Sequence, residues 1–308
     1  MTKPIEDKLV KIPVINVLVR FLKKIKLPGL EGLSLYDLLE LYIIGIAKGA
    51  LTTRASAIAF SFFMALFPFL LFVLILIPYI PIEGFKTDFL VFLESFLPPN
   101  TSDFFLHNIF ENIDQSQRGG LLSSVFILSI ALMANGVNAV FSGFEYSYHE
   151  QLTRNIFKQY LYALGIALIL AFLIILTIAF LGYFQIYVVQ GLLNAFAVDS
   201  QNVFWANLAQ YVFFIIMVYL ATATLYYYGT QEGKHSKFFS IGALFTTLLI
   251  ILSSYLFGIY IENFGQYNKL YGSIGALLIL MFYLWLNANI LLLGYELNAS
   301  LNKLRKRF

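Results

Sequence analysis

The chain has 308 residues, 60% of them hydrophobic and only 12% charged, with a formal net charge of +3. A soluble domain carries about 25% charged residues. A chain this poor in polar groups could not cover a water-exposed surface of its size, so the excess apolar residues call for lipid as solvent. The absence of cysteine excludes disulfides, zinc–thiolate sites and thiol catalysis.

Residues 1–27 mix Lys3, Lys8, Lys11, Arg20, Lys23, Lys24 and Lys26 with apolar residues and Pro13. No uninterrupted apolar core precedes a small-residue cleavage site, so this stretch does not read as a cleavable signal. Residues 33–53, LSLYDLLELYIIGIAKGALTT, are interrupted by Asp37, Glu40 and Lys48. They predict a helix lying in the membrane interface, with Ser34 and Asp37 forming a capping box with the shorter acid.

Six stretches are long and apolar enough to span a bilayer as helices: about 55–80, 121–141, 161–189, 205–228, 238–261 and 272–298. Continuous apolar runs, without ten-residue alternation, exclude a β-barrel. Backbone amides in hydrocarbon must then be satisfied within each segment, which demands helices. The reading is an all-α, polytopic integral membrane bundle. A basic segment with the interfacial helix (1–54) precedes the six-span domain (55–298), and a short basic tail (299–308) follows.

Between the first two spans, residues 81–118 carry six acids together with FKTDFLVFLESFLPP and DFFLHNIFENI. Aromatic and aliphatic residues at helical spacing predict two short amphipathic helices on the outer surface, separated at Pro98 and Pro99. They would cap the bundle or act as a lid.

Basic residues set the orientation. Seventeen fall before the first span, in the second and fourth loops, and in the tail; the opposite side holds only Lys86, Arg118 and Lys269. The positive-inside rule therefore places both termini in the cytoplasm. The same basic face would attract anionic lipid headgroups, and this is a better account of it than nucleic-acid binding.

Ionisable groups in spans are costly and so mark candidate sites. Arg54 stands at the start of the first span and Glu296 near the end of the last, and the two are expected to meet. They would form either a packing ion pair or a cytoplasmic gate. Asn135 and Asn138 share a face of the second span. Gly136 and Gly143 beside them would let another helix approach, and Glu145 follows. That face reads equally as interhelical hydrogen bonding or as a cavity lining. Asn287 and Asn289, two apart in the last span, cannot share a face. Pro68 and Pro78 interrupt the first span, and Pro68 would kink it or expose carbonyls. Gly272 and Gly275 would allow backbone contact at the start of the last span.

Three segments resemble the YihY/BrkB family of bacterial inner-membrane proteins: Arg54-Ala-Ser-Ala-Ile-Ala-Phe60 with Ala65-Leu-Phe-Pro68, the region from Asn135 to Glu150, and Tyr271-Gly-Ser-Ile-Gly-Ala276 with FYLWLNANILLLGYELNA. The likeness covers about residues 35–300. Gly294-Tyr295-Glu296 departs from the family's more usual Gly-Ala-Glu. The resemblance implies six spans with cytoplasmic ends, in the bacterial inner membrane. It implies no single activity, since members carry ribonuclease and virulence-factor labels and transport of lipid or small solutes has been suggested.

The sequence has no Gly-rich P-loop ending in Lys-Ser/Thr. No span has a mid-membrane carboxylate of the kind a proton relay uses. His107, His149 and His235 are dispersed, and no cluster of Asp, Glu and His offers a two-metal nuclease site. The expectation is therefore a non-enzyme without cofactor or metal. It would transport a lipid-like or small solute, with an envelope scaffold or accessory protein as the alternative and a membrane ribonuclease last.

Overall fold

A computed structural model of the chain describes residues 13–26, 34–37, 39–40, 51–76, 119–145, 155–184, 188, 200–229, 237–263 and 273–305. These include seven helices: α1 (Pro13–Lys24), α2 (Leu51–Leu76), α3 (Gly119–Glu145), α4 (Ile156–Tyr183), α5 (Ser200–Gly229), α6 (Ile241–Asn263) and α7 (Ser273–Arg305). The last six are long and apolar enough to cross a membrane. The chain is a polytopic all-α membrane protein.

The helices depart from the sequence reading at their ends. α2 begins before residue 55, so Arg54 lies inside its first turn. α7 runs past residue 298 into the basic tail, because Leu297 and Leu301 keep an apolar stripe that packs with Leu35, Ile241 and Phe245. α2 also continues through Pro68 without a break. The expected outer helices in 81–118, Pro78, Gly272 and most of 33–53 lie outside the described residues.

α1 was not expected from the sequence. Pro13 is preset for a first helical position. Val14, Ile15, Leu18, Phe21 and Leu22 then fall on one face, with Asn16, Arg20, Lys23 and Lys24 on the other. Val19 is buried while Phe21 stays exposed. Beyond α1, the Leu35 amide donates to the Ile25 carbonyl (2.9 Å), and Lys23 sits 4.7 Å from the centre of the Tyr36 ring. Ser34 and Asp37 form the reciprocal cap: the Ser34 amide and hydroxyl donate to the Asp37 carboxylate (2.8 and 2.6 Å), and the Asp37 amide donates back to Ser34 Oγ (3.3 Å).

The six spans close into a ring. Each packs on the next in chain order and α7 returns to α2, while α3 also touches α5 and α7. The end of the bundle that holds the start of α2 and the ends of α3 and α7 is called the basic end below. Burial concentrates there. On α7 every residue from Ala288 to Leu301 is buried except Asn289 and Leu293, yet none from Leu277 to Asn287 is. None from Leu248 to Ile261 on α6, nor from Asn207 to Ala221 on α5, is buried either. The distal halves of these three helices are therefore only partly buried, although Phe257 against Tyr283 still joins α6 to α7 there.

Candidate functional site

At the basic end, α2, α3 and α7 meet around one buried cation. Arg54 Nη1 donates to the Gly143 carbonyl at 2.7 Å, and Nη2 lies 3.3 Å from Glu296 Oε1. The Gly143 carbonyl belongs to the last turn of α3, where carbonyls lack helical partners and the dipole favours a positive charge. Arg54 thus ties α3 to α7 from α2. Arg54 Nε is buried with no hydrogen-bond partner among the described residues.

Gly143 makes this junction possible. A Cβ there would come within 3.0 Å of Ile58 and 3.1 Å of Leu292, one side chain from each neighbouring helix. Gly136, two turns away, has no neighbour closer than 3.8 Å, so it tolerates a methyl where Gly143 does not.

Beside the ion pair, aromatic rings from three helices seal the ring centrally. Phe144 stacks on Tyr295 (centroids 4.1 Å, 13° between planes) and meets Tyr226 edge-on at 5.6 Å. The Tyr226 hydroxyl donates to the Leu291 carbonyl and shares a hydrogen bond with Thr246, both at 2.6 Å. One phenol therefore joins α5, α6 and α7. Tyr226→Phe removes that oxygen and strands the fully buried Thr246 hydroxyl. We expect it to lower unfolding stability by about 1–3 kcal/mol, read as a shift of the thermal transition in one detergent.

The start of α6 is capped from two sides. Ser240 Oγ accepts from the Ala243 amide (3.2 Å), and Asn298 Oδ1 of α7 accepts from the Gly242 amide (2.8 Å). Asn298 Nδ2 donates to Ser240 Oγ at 2.7 Å, closing the loop. These amides have no partner within their own helix, so the cap also fixes the register of α6 on α7.

The remaining candidates lie elsewhere. Glu145, half-buried, ends α3 two residues beyond Gly143. The Pro68 carbonyl accepts from the buried Ser129 hydroxyl at 2.6 Å, which joins α2 and α3 away from the ion pair. Asn287 donates to the Tyr283 carbonyl (2.9 Å) and accepts from Ser253 of α6 (3.4 Å). Asn289 bonds back to the Trp285 carbonyl of its own helix (2.7 Å). Gly275 is buried near the far end of α7.

Asn135 and Asn138 do not line the bundle interior with Arg54. The interior of α3 is taken by Met133, Val137, Val140 and Phe144, and the asparagines fall on the opposite face, Asn135 exposed and Asn138 half-exposed. Tyr226, Thr246, Gly242 and Ser240 belong to the site but gave no signal in sequence, since hydroxyls and glycines are common in spans and their pairing depends on which helices adjoin; Gly294 and Asn298 stood out only within the last-span stretch that carries the family resemblance. Among the described residues no group of three or more His, Cys, Asp or Glu is gathered.

The family model described as virulence factor BrkB matches residues 45–307. The chain is 29% identical over 259 residues to the ribonuclease-like protein YfkH of Bacillus subtilis (strain 168), covering 82% of this chain and 91% of that protein. It is 26% identical over 253 residues to a UPF0761 membrane protein of Coxiella burnetii (strain Dugway 5J108-111), covering 78% and 84%. A UPF0761 membrane protein of Aggregatibacter aphrophilus (strain NJ8700) is 24% identical over 259 residues, covering 84% and 89%. No solved structure matches the chain.

Proposed function

The chain belongs to the virulence factor BrkB family, and from that premise we propose that this multi-pass membrane protein transports a lipid-like or small amphipathic solute. One observation carries the reading: among the described residues, burial is dense at the basic end and sparse along the distal stretches of α5, α6 and α7. The basic end is held by the Arg54–Glu296 pair, the Phe144–Tyr295 stack and the Asn298 cap, whereas α5, α6 and α7 bury no residue over 207–221, 248–261 and 277–287. A firmly packed end would serve as the barrier that alternating access to a central path requires.

Contacts at the far end suggest where the opening runs. α4 and α5 stay joined by Phe180 stacked on Phe213 (3.8 Å), and α6 and α7 by Phe257 against Tyr283 (4.9 Å). Between α5 and α6, Tyr226 with Thr246 and Tyr219 with Phe239 join near the basic end. A gap between these two pairs would be walled by aromatic rings and edged by the hydroxyls of Ser253, Ser254 and Tyr283. Such walls suit an acyl chain with a polar head better than a bare ion. The seventeen basic residues against three support a basic end in the cytoplasm of a bacterial inner membrane. α1, with its basic face and exposed Phe21, would rest there on anionic headgroups.

Purified protein in liposomes of bacterial polar lipid tests this. We expect a fluorescent phospholipid in the inner leaflet to become accessible to an outside quencher, or a trapped small amphiphile to escape, faster than in protein-free vesicles. Rates equal to the empty control across both panels overturn transport. They would leave the second reading, an envelope scaffold, which the dense basic end favours. RNA cleavage by the purified protein, abolished by a point substitution, would instead carry the label of the Bacillus relative over to this chain.

A further inference from the structure

α3 carries a polar seam on its outer face, bordered by α4 at Ser142 and Ala131. Ser124, Leu128, Ala131, Asn135, Asn138 and Ser142 follow at alternating spacings of four and three. That is the spacing of a helix seam that packs on another helix. The seam lies opposite the buried face of Ser129, Met133, Val137, Val140 and Phe144. Leu128 is 51% exposed, and Ser124 and Asn135 are exposed as well.

Depth makes this arrangement costly for a lone chain. Asn135 lies ten residues from Glu145, the last residue of α3. At about 1.5 Å per residue that is about 15 Å, the middle of a hydrocarbon core about 30 Å thick. No hydrogen bond of the Asn135 or Asn138 side chain is found among the described residues. Acyl chains offer neither donor nor acceptor, and headgroups do not reach the mid-plane.

We propose that this seam is the contact between two copies of the chain, with α3 packed on α3 about a two-fold axis along the membrane normal. Copies inserted in one orientation present α3 in parallel, so Asn135 of one meets Asn135 of the other. A carboxamide has both donors and an acceptor and therefore pairs with its own kind, which fits an isologous contact. Ala131 on the seam and Ala139 beside it are small enough for the helices to approach. Tyr160 and Gln159 of α4 border the seam through the Ala131 carbonyl (3.3 Å) and the Ser142 hydroxyl (3.2 Å).

The chain has no native cysteine, so single cysteines report without background. Full-length Leu128→Cys and Ala131→Cys, oxidised in native membranes, are expected to give a covalent dimer. Leu252→Cys, 52% exposed on α6, is expected to remain monomeric. Separately, Asn135→Leu with Asn138→Leu is expected to weaken self-association about tenfold, read as energy transfer between labelled copies in vesicles of increasing lipid content. Its thermal transition in detergent should match or exceed that of the parent, which separates lost pairing from misfolding. Any of three results overturns the proposal: equal cross-linking at 128, 131 and 252; energy transfer unchanged in the double variant; or α3 cysteines that capture a different protein in place of a second copy.

Discussion

Glu296→Ala is expected to cost about 3–5 kcal/mol of stability, because it strands a buried guanidinium. The two side chains are only 8% and 9% exposed, so neither charge is relieved by water. Arg54 would keep its bond to the Gly143 carbonyl and lose its counter-charge, with Nε already without a partner among the described residues. Removing both charges is a different experiment. Arg54→Leu with Glu296→Leu exchanges a desolvated pair for apolar packing, and such exchanges are commonly neutral or stabilising. The double variant should therefore lie much closer to the parent than the single one, with a coupling well above the 0.5 kcal/mol expected of independent sites. Thermal unfolding of the parent, Arg54→Leu, Glu296→Leu and the double variant in one detergent measures it, with Glu296→Ala beside them. A Glu296→Ala protein as stable as its parent would show that the pair does not hold α2 to α7.

What sequence could reveal about this site follows from chemistry. Arg54 and Glu296 stood out because charges are rare in apolar spans, and a rare costly group predicts its own partner. Asn135 and Asn138 were legible as a shared face, but not in direction. Polar residues in spans normally turn inward, and nothing in a single chain signals that a second copy could satisfy them from outside. α1 escaped notice because a twelve-residue amphipathic helix leaves no long apolar run. Tyr226 and Thr246 were hidden for another reason. Their meeting requires α5, α6 and α7 to adjoin at one level, a fact of packing that hydropathy does not encode.

The crossing of α6 on α7 should be the least forgiving place in the bundle, and Gly294→Ala is expected to cost more than about 3 kcal/mol there. A Cβ at Gly294 would overlap the Thr246 hydroxyl and lie 2.6 Å from that of Tyr226 and 3.0 Å from the Gly242 carbonyl. A Cβ at Gly242 would in turn overlap the Gly294 carbonyl and come within 2.5 Å of Asn298 Oδ1. Overpacking a core with one extra carbon commonly costs about 1–3 kcal/mol, when flexible side chains can move aside. Here the obstructing atoms are backbone, a buried hydroxyl pair and the amide that caps α6, so relief requires the two helices to part. Parting them also breaks the bonds of Tyr226 and Asn298, which adds unsatisfied groups to the steric cost. Gly165→Ala provides the opposite control. It is an exposed interior position of α4 with nothing within 4 Å of the new methyl, so it should gain about 0.5–1 kcal/mol from helix propensity alone. Both variants add the same CH₂ to a glycine within a span, so composition and hydropathy cannot separate them. Opposite shifts of their thermal transitions in one detergent would isolate the contact of the α6 and α7 backbones as the cause, whereas equal shifts would refute it.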